Sequence, residues 1–329
     1  MTTCKLDASD RLGFKIGCKA KYSNMNKLFW SAVLLLLLPL AACSPTTSGT
    51  SANNGSTQIK PLIAGAIPDQ DPQKLQRQYT KLAAYLQKEL GVPVEYKPVT
   101  DYAAAVTAFK VGDLDLVWFG GLTGVQARLQ VPGAEAIAQR DVDAKFHSVF
   151  ITNKQSGLKP FKDIADVKQL KGHTFTFGSE SSTSGRLMPQ YFLQQAGVKL
   201  TDFKGEVGFS GDHDKTIKLV EAGSYDAGAV NEKVWLQRVQ AKEVDLSKVD
   251  AIWRSPAYYD YHWLINPQVK QRYGNDFVKK AENAFLKLDP KVPEQKEILD
   301  LLQANKFIPT QNSNYTQIEA VGREIGKIK

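Results

Sequence analysis

From residue 61 onward the chain alternates short apolar runs with amphipathic stretches, and this alternation constrains the fold more than any other feature. "PLIAGAIP" (61–68) reads as a buried strand. In "DPQKLQRQYTKLAAYLQKELG", which follows it, Asp71 is the N-cap, Pro72 takes the first helical position and Gly91 is the stop. Leu75, Tyr79, Leu82, Leu86 and Leu90 form one helical stripe. "VPVEYKPV" (92–99) is the next strand, Thr100 or Asp101 caps "YAAAVTAFKVG", and "DLDLVWFG" (113–120) runs into the helix "LTGVQARLQ". A β-α-β-α-β order requires a parallel sheet covered on both faces.

After Pro132 the pattern changes. "KFHSVFITN" (145–153) is long and β-rich, and a second α/β set follows it. Its strands are "HTFTFGS", "GEVGFS" and "YDAGAVN"; its helices are 184–196, "HDKTIKLVEAG" and "EKVWLQRVQ". "VDAIWRSP" (249–256) is another β-rich segment, and helices are expected over 267–287, 293–304 and 314–327. The expected architecture is α/β and two-lobed: two parallel or mixed sheets flanked by helices, with a hinge of two crossings. Residues 60–148 and 257–329 form lobe 1, and 149–256 form lobe 2. Ligands in such sheets bind outside the carboxyl ends of the strands, so two facing lobes make a cleft that closes by hinge motion.

The N-terminal region reads as processing and tethering rather than fold. "MNKLFWSAVLLLLLPLAAC" (25–43) has a basic start at Lys27, an apolar run over Leu28–Leu40 and small residues before Cys43, the layout of a secretory signal. The run is shorter than the ~20 residues a spanning helix needs. The ending Leu40-Ala41-Ala42-Cys43 resembles a bacterial lipobox, which makes Cys43 the expected lipidation site. Residues 1–42 are then an upstream extension plus signal peptide, and 43–59 a small, polar, flexible tether to the membrane. All three cysteines, Cys4, Cys18 and Cys43, lie at or before the cleavage site, so no disulfide or thiolate metal site is expected beyond it. Of the +8 net charge, residues 43–329 keep 36 basic against 32 acidic side chains, a net +4 too scattered for nucleic acid.

Each strand end delivers polar residues to a helix start, where free N–H groups and partial positive charge bind anions. "GSESSTSGR" (178–186) adds Ser182, Thr183 and Ser184 just before Gly185, more hydroxyls than a capped core helix needs. His213 stands at another strand-to-helix junction, where an imidazole donates to an anion or serves merely as a cap. "SPAYYDYHW" (255–263) crowds tyrosines and a tryptophan around Asp260. No metal-ligand spacing, Walker loop, GxGxxG or GxSxG motif is present. A Ser184–His213–Asp triad lacks an oxyanion turn, so no enzyme and no cofactor are expected.

"DYAAAVTAFKVGDLDLVWFGGLTGVQAR" (101–128), "SSTSGR" (181–186), "GDHDKTIKLVEAGSYDAGAVN" (211–231), "WRSPAYYDYHW" (253–263) and "FIPTQNSNYTQI" (307–318) together resemble the periplasmic phosphate-, phosphite- and phosphonate-binding proteins of ABC transporters, of the type II solute-binding class. "AIPDQDP" and "GDLDLVWFGGLTGVQARLQVPGA" look closest to a branch that carries a selenate-binding label. The resemblance implies ligand contacts at Tyr102, Phe119 (where a tyrosine is common), Ser182, Thr183, Ser184, His213, Asn231 and Asp260. It implies a monomeric, membrane-anchored, extracytoplasmic binder of a small tetrahedral oxyanion, with permease and ATPase subunits as partners and no metal. If Asp260 touches the ligand it needs a protonated oxygen there to accept from, which favours phosphite, phosphate or phosphonate over selenate or sulfate. A ligand-sensing input protein for a membrane receptor is the alternative of another class.

Overall fold

The computed structural model describes residues 59–329; the expected signal peptide, Cys43 and almost all of the tether lie outside the described residues. In chain order the first elements are β1 (Leu62–Ala66), α1 (Pro72–Leu90), β2 (Val94–Tyr96), α2 (Tyr102–Lys110), β3 (Leu116–Phe119), α3 (Gly121–Gln130) and β4 (Glu135–Arg140). Then come β5 (Ser148–Asn153), β6 (Phe175–Phe177), α4 (Met188–Gln195), β7 (Gly208–Phe209), α5 (His213–Glu221), β8 (Ala227–Asn231), α6 (Glu232–Gln240) and β9 (Val249–Arg254). The chain ends with β10 (His262–Ile265), α7 (Gln268–Tyr273), α8 (Phe277–Leu286), α9 (Pro293–Leu301), β11 (Phe307–Pro309) and α10 (Thr316–Glu324).

Two mixed sheets result. One has the order β11-β4-β10-β3-β1-β2, the other β7-β6-β8-β5-β9. β1 pairs in parallel with β2 and β3, and β6 with β7 and β8, as the alternation requires. β10 runs antiparallel to both β3 and β4, and β5 antiparallel to both β8 and β9. The segments 145–153 and 249–256, read from sequence as the crossings, therefore hold β5 and β9, paired inside the second sheet. The chain changes sheets just beside them, where Phe146 and Tyr258 exchange backbone hydrogen bonds of 2.8 and 3.0 Å.

The expected long helix 267–287 is two helices. Gly274 adopts φ +98° between α7 and α8, a conformation costly for any residue with a Cβ. The expected helix 184–196 starts instead with a π-type turn, Thr183–Leu187. Pro189 has no N–H for the carbonyl of Gly185, which instead accepts from Gly178 N–H at 2.9 Å. That bond ties the hydroxyl loop to the end of β6.

The first sheet packs on an aromatic core around Trp263, which lies 5.4 Å from Trp118 and 4.9 Å from Phe285 between ring centroids. At the end of β4 the buried Arg140 forks onto Asp143, with both contacts at 2.7 Å, and stacks over Tyr261. The carbonyl of Asp143 accepts the N–H of Asp260 at 3.1 Å, so one crossing fixes the backbone of the other.

Asp101 is the cap of α2, accepting from Ala104 N–H at 2.7 Å. Asp101→Ala is expected to cost about 1 kcal/mol of stability. The expected readout is a lower urea midpoint at unchanged slope; an unchanged midpoint would show that the cap contributes nothing.

Candidate functional site

The strand-to-helix junctions of the two sheets meet in one buried seam. From the first sheet come Asp69 after β1, Tyr102 at the start of α2, the α3 start at Gly120-Gly121-Leu122, and Asp260-Tyr261 before β10. From the second come Ser182, Thr183 and Ser184 after β6, His213 at the start of α5, and Asn231 at the end of β8. All eight side chains expected at the site are buried.

Direct bonds cross the seam. Leu122 N–H donates to Thr183 Oγ1 at 2.9 Å, His213 N–H to the carbonyl of Asp69 at 3.1 Å, and Asn231 Nδ2 to the Tyr261 hydroxyl at 3.0 Å. Gly120 permits this approach: a Cβ there would lie 3.1 Å from Thr183 Oγ1 and 3.4 Å from Asp260 Oδ1. Within the second sheet's own junctions, Gly185 lets the His213 ring come close, since a Cβ there would lie 3.0 Å from His213 Cε1. The lobes are thus in contact across the residues that the sequence singles out.

Within the hydroxyl run the roles divide. Ser182 Oγ accepts from Gly185 N–H at 2.9 Å and shapes the turn. Thr183 reaches across the seam to α3. The Ser184 carbonyl is held by Ser148 Oγ at 2.8 Å, whereas its own hydroxyl has no partner among the described residues. The Tyr102 hydroxyl and Asp260 Oδ2 are likewise buried without a hydrogen-bond partner among the described residues. Buried polar atoms are normally satisfied; of the eight buried side-chain atoms without a partner among the described residues, three belong to expected site residues, where a polar guest would satisfy them.

His213 is neutral at pH 7, because burial pushes its imidazole down to about 4. Its Nδ1 accepts from Asn231 N–H at 3.3 Å, which assigns the ring proton to Nε2. Nε2–H is then a donor facing the seam, 3.5 Å from the Tyr261 hydroxyl. Asn231 itself acts as a cap and a bridge: Oδ1 accepts from Lys233 and Val234 N–H, while Nδ2 reaches Tyr261. Phe119 packs edge-on to Phe109 at 5.7 Å and offers only apolar surface.

Asp260 does not behave as a simple ionised acid that can only accept. Burial pushes its carboxyl up to about 7, opposed by Gly121 N–H, which donates to Oδ1 at 2.8 Å, and by the nearby Thr183 hydroxyl. Near neutral pH the carboxyl is therefore able to hold a proton itself and donate it. Its presence alone does not exclude a fully deprotonated anion, which corrects the inference against selenate and sulfate.

Two residues of the seam were not foreseen. Neither Tyr261 nor Asp69 is among the residues that the sequence singles out for the site. Burial pushes the Asp69 carboxyl up to about 6 beside the Tyr261 hydroxyl. An Asp one strand-end before a capped helix was the available signal.

The arrangement offers hydroxyl and imidazole donors plus one carboxyl able to share a proton, which suits a small oxyanion. Residues 64–315 match the family of periplasmic substrate-binding proteins of phosphonate ABC transporters. The chain is 48% identical over 271 residues to the probable ABC transporter phosphite-binding protein PhnD1 of Prochlorococcus marinus, covering 82% of this chain and 91% of the relative. The solved structure of that protein in complex with methylphosphonate superposes with a TM-score of 0.80 over 82% of this chain and 100% of its own. The phosphonates-binding periplasmic protein of Escherichia coli is 28% identical, covering 77% of this chain and 73% of the relative.

Proposed function

The chain belongs to the periplasmic phosphonate substrate-binding proteins of ABC transporters, and from that premise we propose that it closes two lobes on a phosphorus oxyanion of the phosphite and methylphosphonate class. It has the type II binding-protein fold and is a solute-binding protein rather than an enzyme. The observation that carries the ligand reading is the set of three buried, unpartnered polar atoms at the seam: Tyr102 Oη, Ser184 Oγ and Asp260 Oδ2.

In this reading Ser184, Tyr102 and His213 Nε2 donate to the anion, while Asp260 Oδ2 shares one proton with it. Thr183, Ser182 and Asn231 hold the closed seam and the loop, and Phe119 supplies an apolar wall. Lobe 1 (60–148 and 257–329) and lobe 2 (149–256) are the units that close. Cys43 carries the lipid that anchors the protein to a membrane on its extracytoplasmic side, and the protein delivers its ligand to the permease of a transporter driven by ATPase subunits.

Calorimetric titration with phosphite, methylphosphonate, phosphate, 2-aminoethylphosphonate, sulfate and selenate at two pH values tests this. The expected result is one phosphite or methylphosphonate per chain, bound more tightly than sulfate or selenate. Binding of none would overturn the oxyanion reading. Preference for selenate would transfer the site to the alternative branch.

A further inference from the structure

The lobes also touch outside the oxyanion site, through a polar cluster that joins the start of α1 to α5 and α6. Asp214 follows His213 in the chain, and its carboxylate is aimed at the other lobe. Oδ2 accepts the backbone N–H of Asp71 at 2.9 Å, while Arg238 Nε donates to Oδ1 at 2.6 Å and Arg238 Nη2 holds Oδ2. Arg238 is itself fixed by Glu243 at 2.5 Å, so the carboxylate is braced from within lobe 2. Asp71 spends its own side chain on Gln73 and Lys74 N–H, each at 3.0 Å, leaving its backbone N–H to be met from across the seam. An anion at the start of a 19-residue helix also gains from the helix dipole.

A second thread runs in parallel. Lys74 on α1 donates to Gln70 at 2.7 Å and also to Gln237 on α6, and Gln303 Nε2 donates to Gln237 Oε1 at 2.9 Å. Gln237 of lobe 2 therefore receives two side chains of lobe 1. The opposing charges are near as well. Asp69 is the nearby carboxylate that opposes Asp214, and Lys74 offsets both while Arg238 offsets Asp214. Burial pushes the Asp214 carboxyl up, but the Arg238 fork, the Asp71 N–H and Lys74 outweigh it and hold it below the usual carboxylate range.

We infer that Asp214 and Gln237 are positioning residues of an interlobe latch, which sets the lifetime of the closed form and so the rate of ligand release. Neither is among the proposed oxyanion contacts. Asp214 is nevertheless adjacent to His213, so the same helix start that meets the anion also fastens the lobes. The latch rests on the reading of the chain as a lobe-closing binder, but it needs no particular oxyanion.

The test compares Asp214→Asn and Gln237→Ala with the parent protein. Stopped-flow kinetics with phosphite, methylphosphonate and phosphate give the release rates. Spin labels at the exposed positions Val111 in lobe 1 and Leu246 in lobe 2 report the interlobe distance without ligand. The chain has no cysteine after Cys43, so labelling cysteines there are unique within the lobes.

Asp214→Asn is expected to speed release about tenfold, the value of one partly exposed charged hydrogen bond. The acceleration should be equal for each ligand that binds, with association nearly unchanged and a longer mean interlobe distance. Gln237→Ala should act in the same direction and more weakly. Release within twofold of the parent for both variants, with unchanged distances, would overturn the latch; so would a lower melting temperature with unchanged release. If the parent binds none of the three anions, the functional reading falls. The distance arm then decides the latch alone, and an unchanged distribution in Asp214→Asn overturns it.

Discussion

Thr183→Val is expected to weaken oxyanion binding by about a hundredfold while leaving the melting temperature of the ligand-free protein nearly unchanged. Valine keeps the shape of threonine but cannot accept the Leu122 N–H that Thr183 Oγ1 takes at 2.9 Å across the seam. In the closed form that N–H is buried, and a buried unpaired donor costs about 1–3 kcal/mol. In an open form water satisfies it, so the penalty falls on closing rather than on folding. The hydroxyl beside Asp260 is lost as well, which removes one of the groups that oppose the rise of that carboxyl. Titration calorimetry with methylphosphonate gives the affinity, and differential scanning calorimetry gives the stability. A loss of less than threefold would show that the α3 contact does not govern closure.

Asp260→Asn is expected to reverse the preference for protonated over fully deprotonated anions. Asparagine retains an oxygen for Gly121 N–H, which Asp260 Oδ1 accepts at 2.8 Å. Its amide then stands where the unpartnered Oδ2 stood and offers donors only. A ligand that donates its own proton loses its acceptor, at a cost of about 1.5–3 kcal/mol for a hydrogen bond to a charged group, or roughly tenfold to a hundredfold in affinity. A dianion instead gains a permanent donor.

The sign of the pH dependence follows from the same group. Burial raises the Asp260 carboxyl to about 7, so the proton shared with the anion is present below that pH and lost as the pH rises through it. In the parent protein, affinity for a fully deprotonated anion should fall about tenfold per pH unit above about 7. In Asp260→Asn that fall should vanish. Affinities for sulfate and methylphosphonate measured across pH 6 to 9 check both points. An unaltered slope in the variant would place the shared proton elsewhere.

The lobe-forming alternation was legible because its caps and stripes are local. Asp71 caps α1 through Gln73 and Lys74 N–H, and Gly91 ends that helix at φ +69°, as expected. The hydroxyl run was legible as a strand-to-helix junction for the same reason: Ser182 caps the turn through Gly185 N–H, a local contact. The features that were not legible depend on distant partners. The π-type turn is closed by Leu187 N–H on the Ser182 carbonyl and Met188 N–H on that of Thr183, while the Gly185 carbonyl pairs with Gly178, a pairing that no local pattern encodes. β4, with the sequence EAIAQR, is poor in β-branched residues and forms because β10 and β11 flank it. Tyr261 and Asp69 carry little local signal of a site role, because their contacts are with Asn231 and His213 of the second sheet. For Asp260 the sequence supplied the position but not the protonation state, because burial by the opposing lobe sets that state.

The most direct test of the account is a crystal structure of the protein with methylphosphonate. The expected result is one phosphorus centre at the seam, with oxygens within about 3 Å of Ser184 Oγ, Tyr102 Oη, His213 Nε2 and Asp260 Oδ2, a normal hydrogen-bond distance. A ligand bound elsewhere, or bound at the seam while Ser184 Oγ and Asp260 Oδ2 still lack a partner, would contradict it.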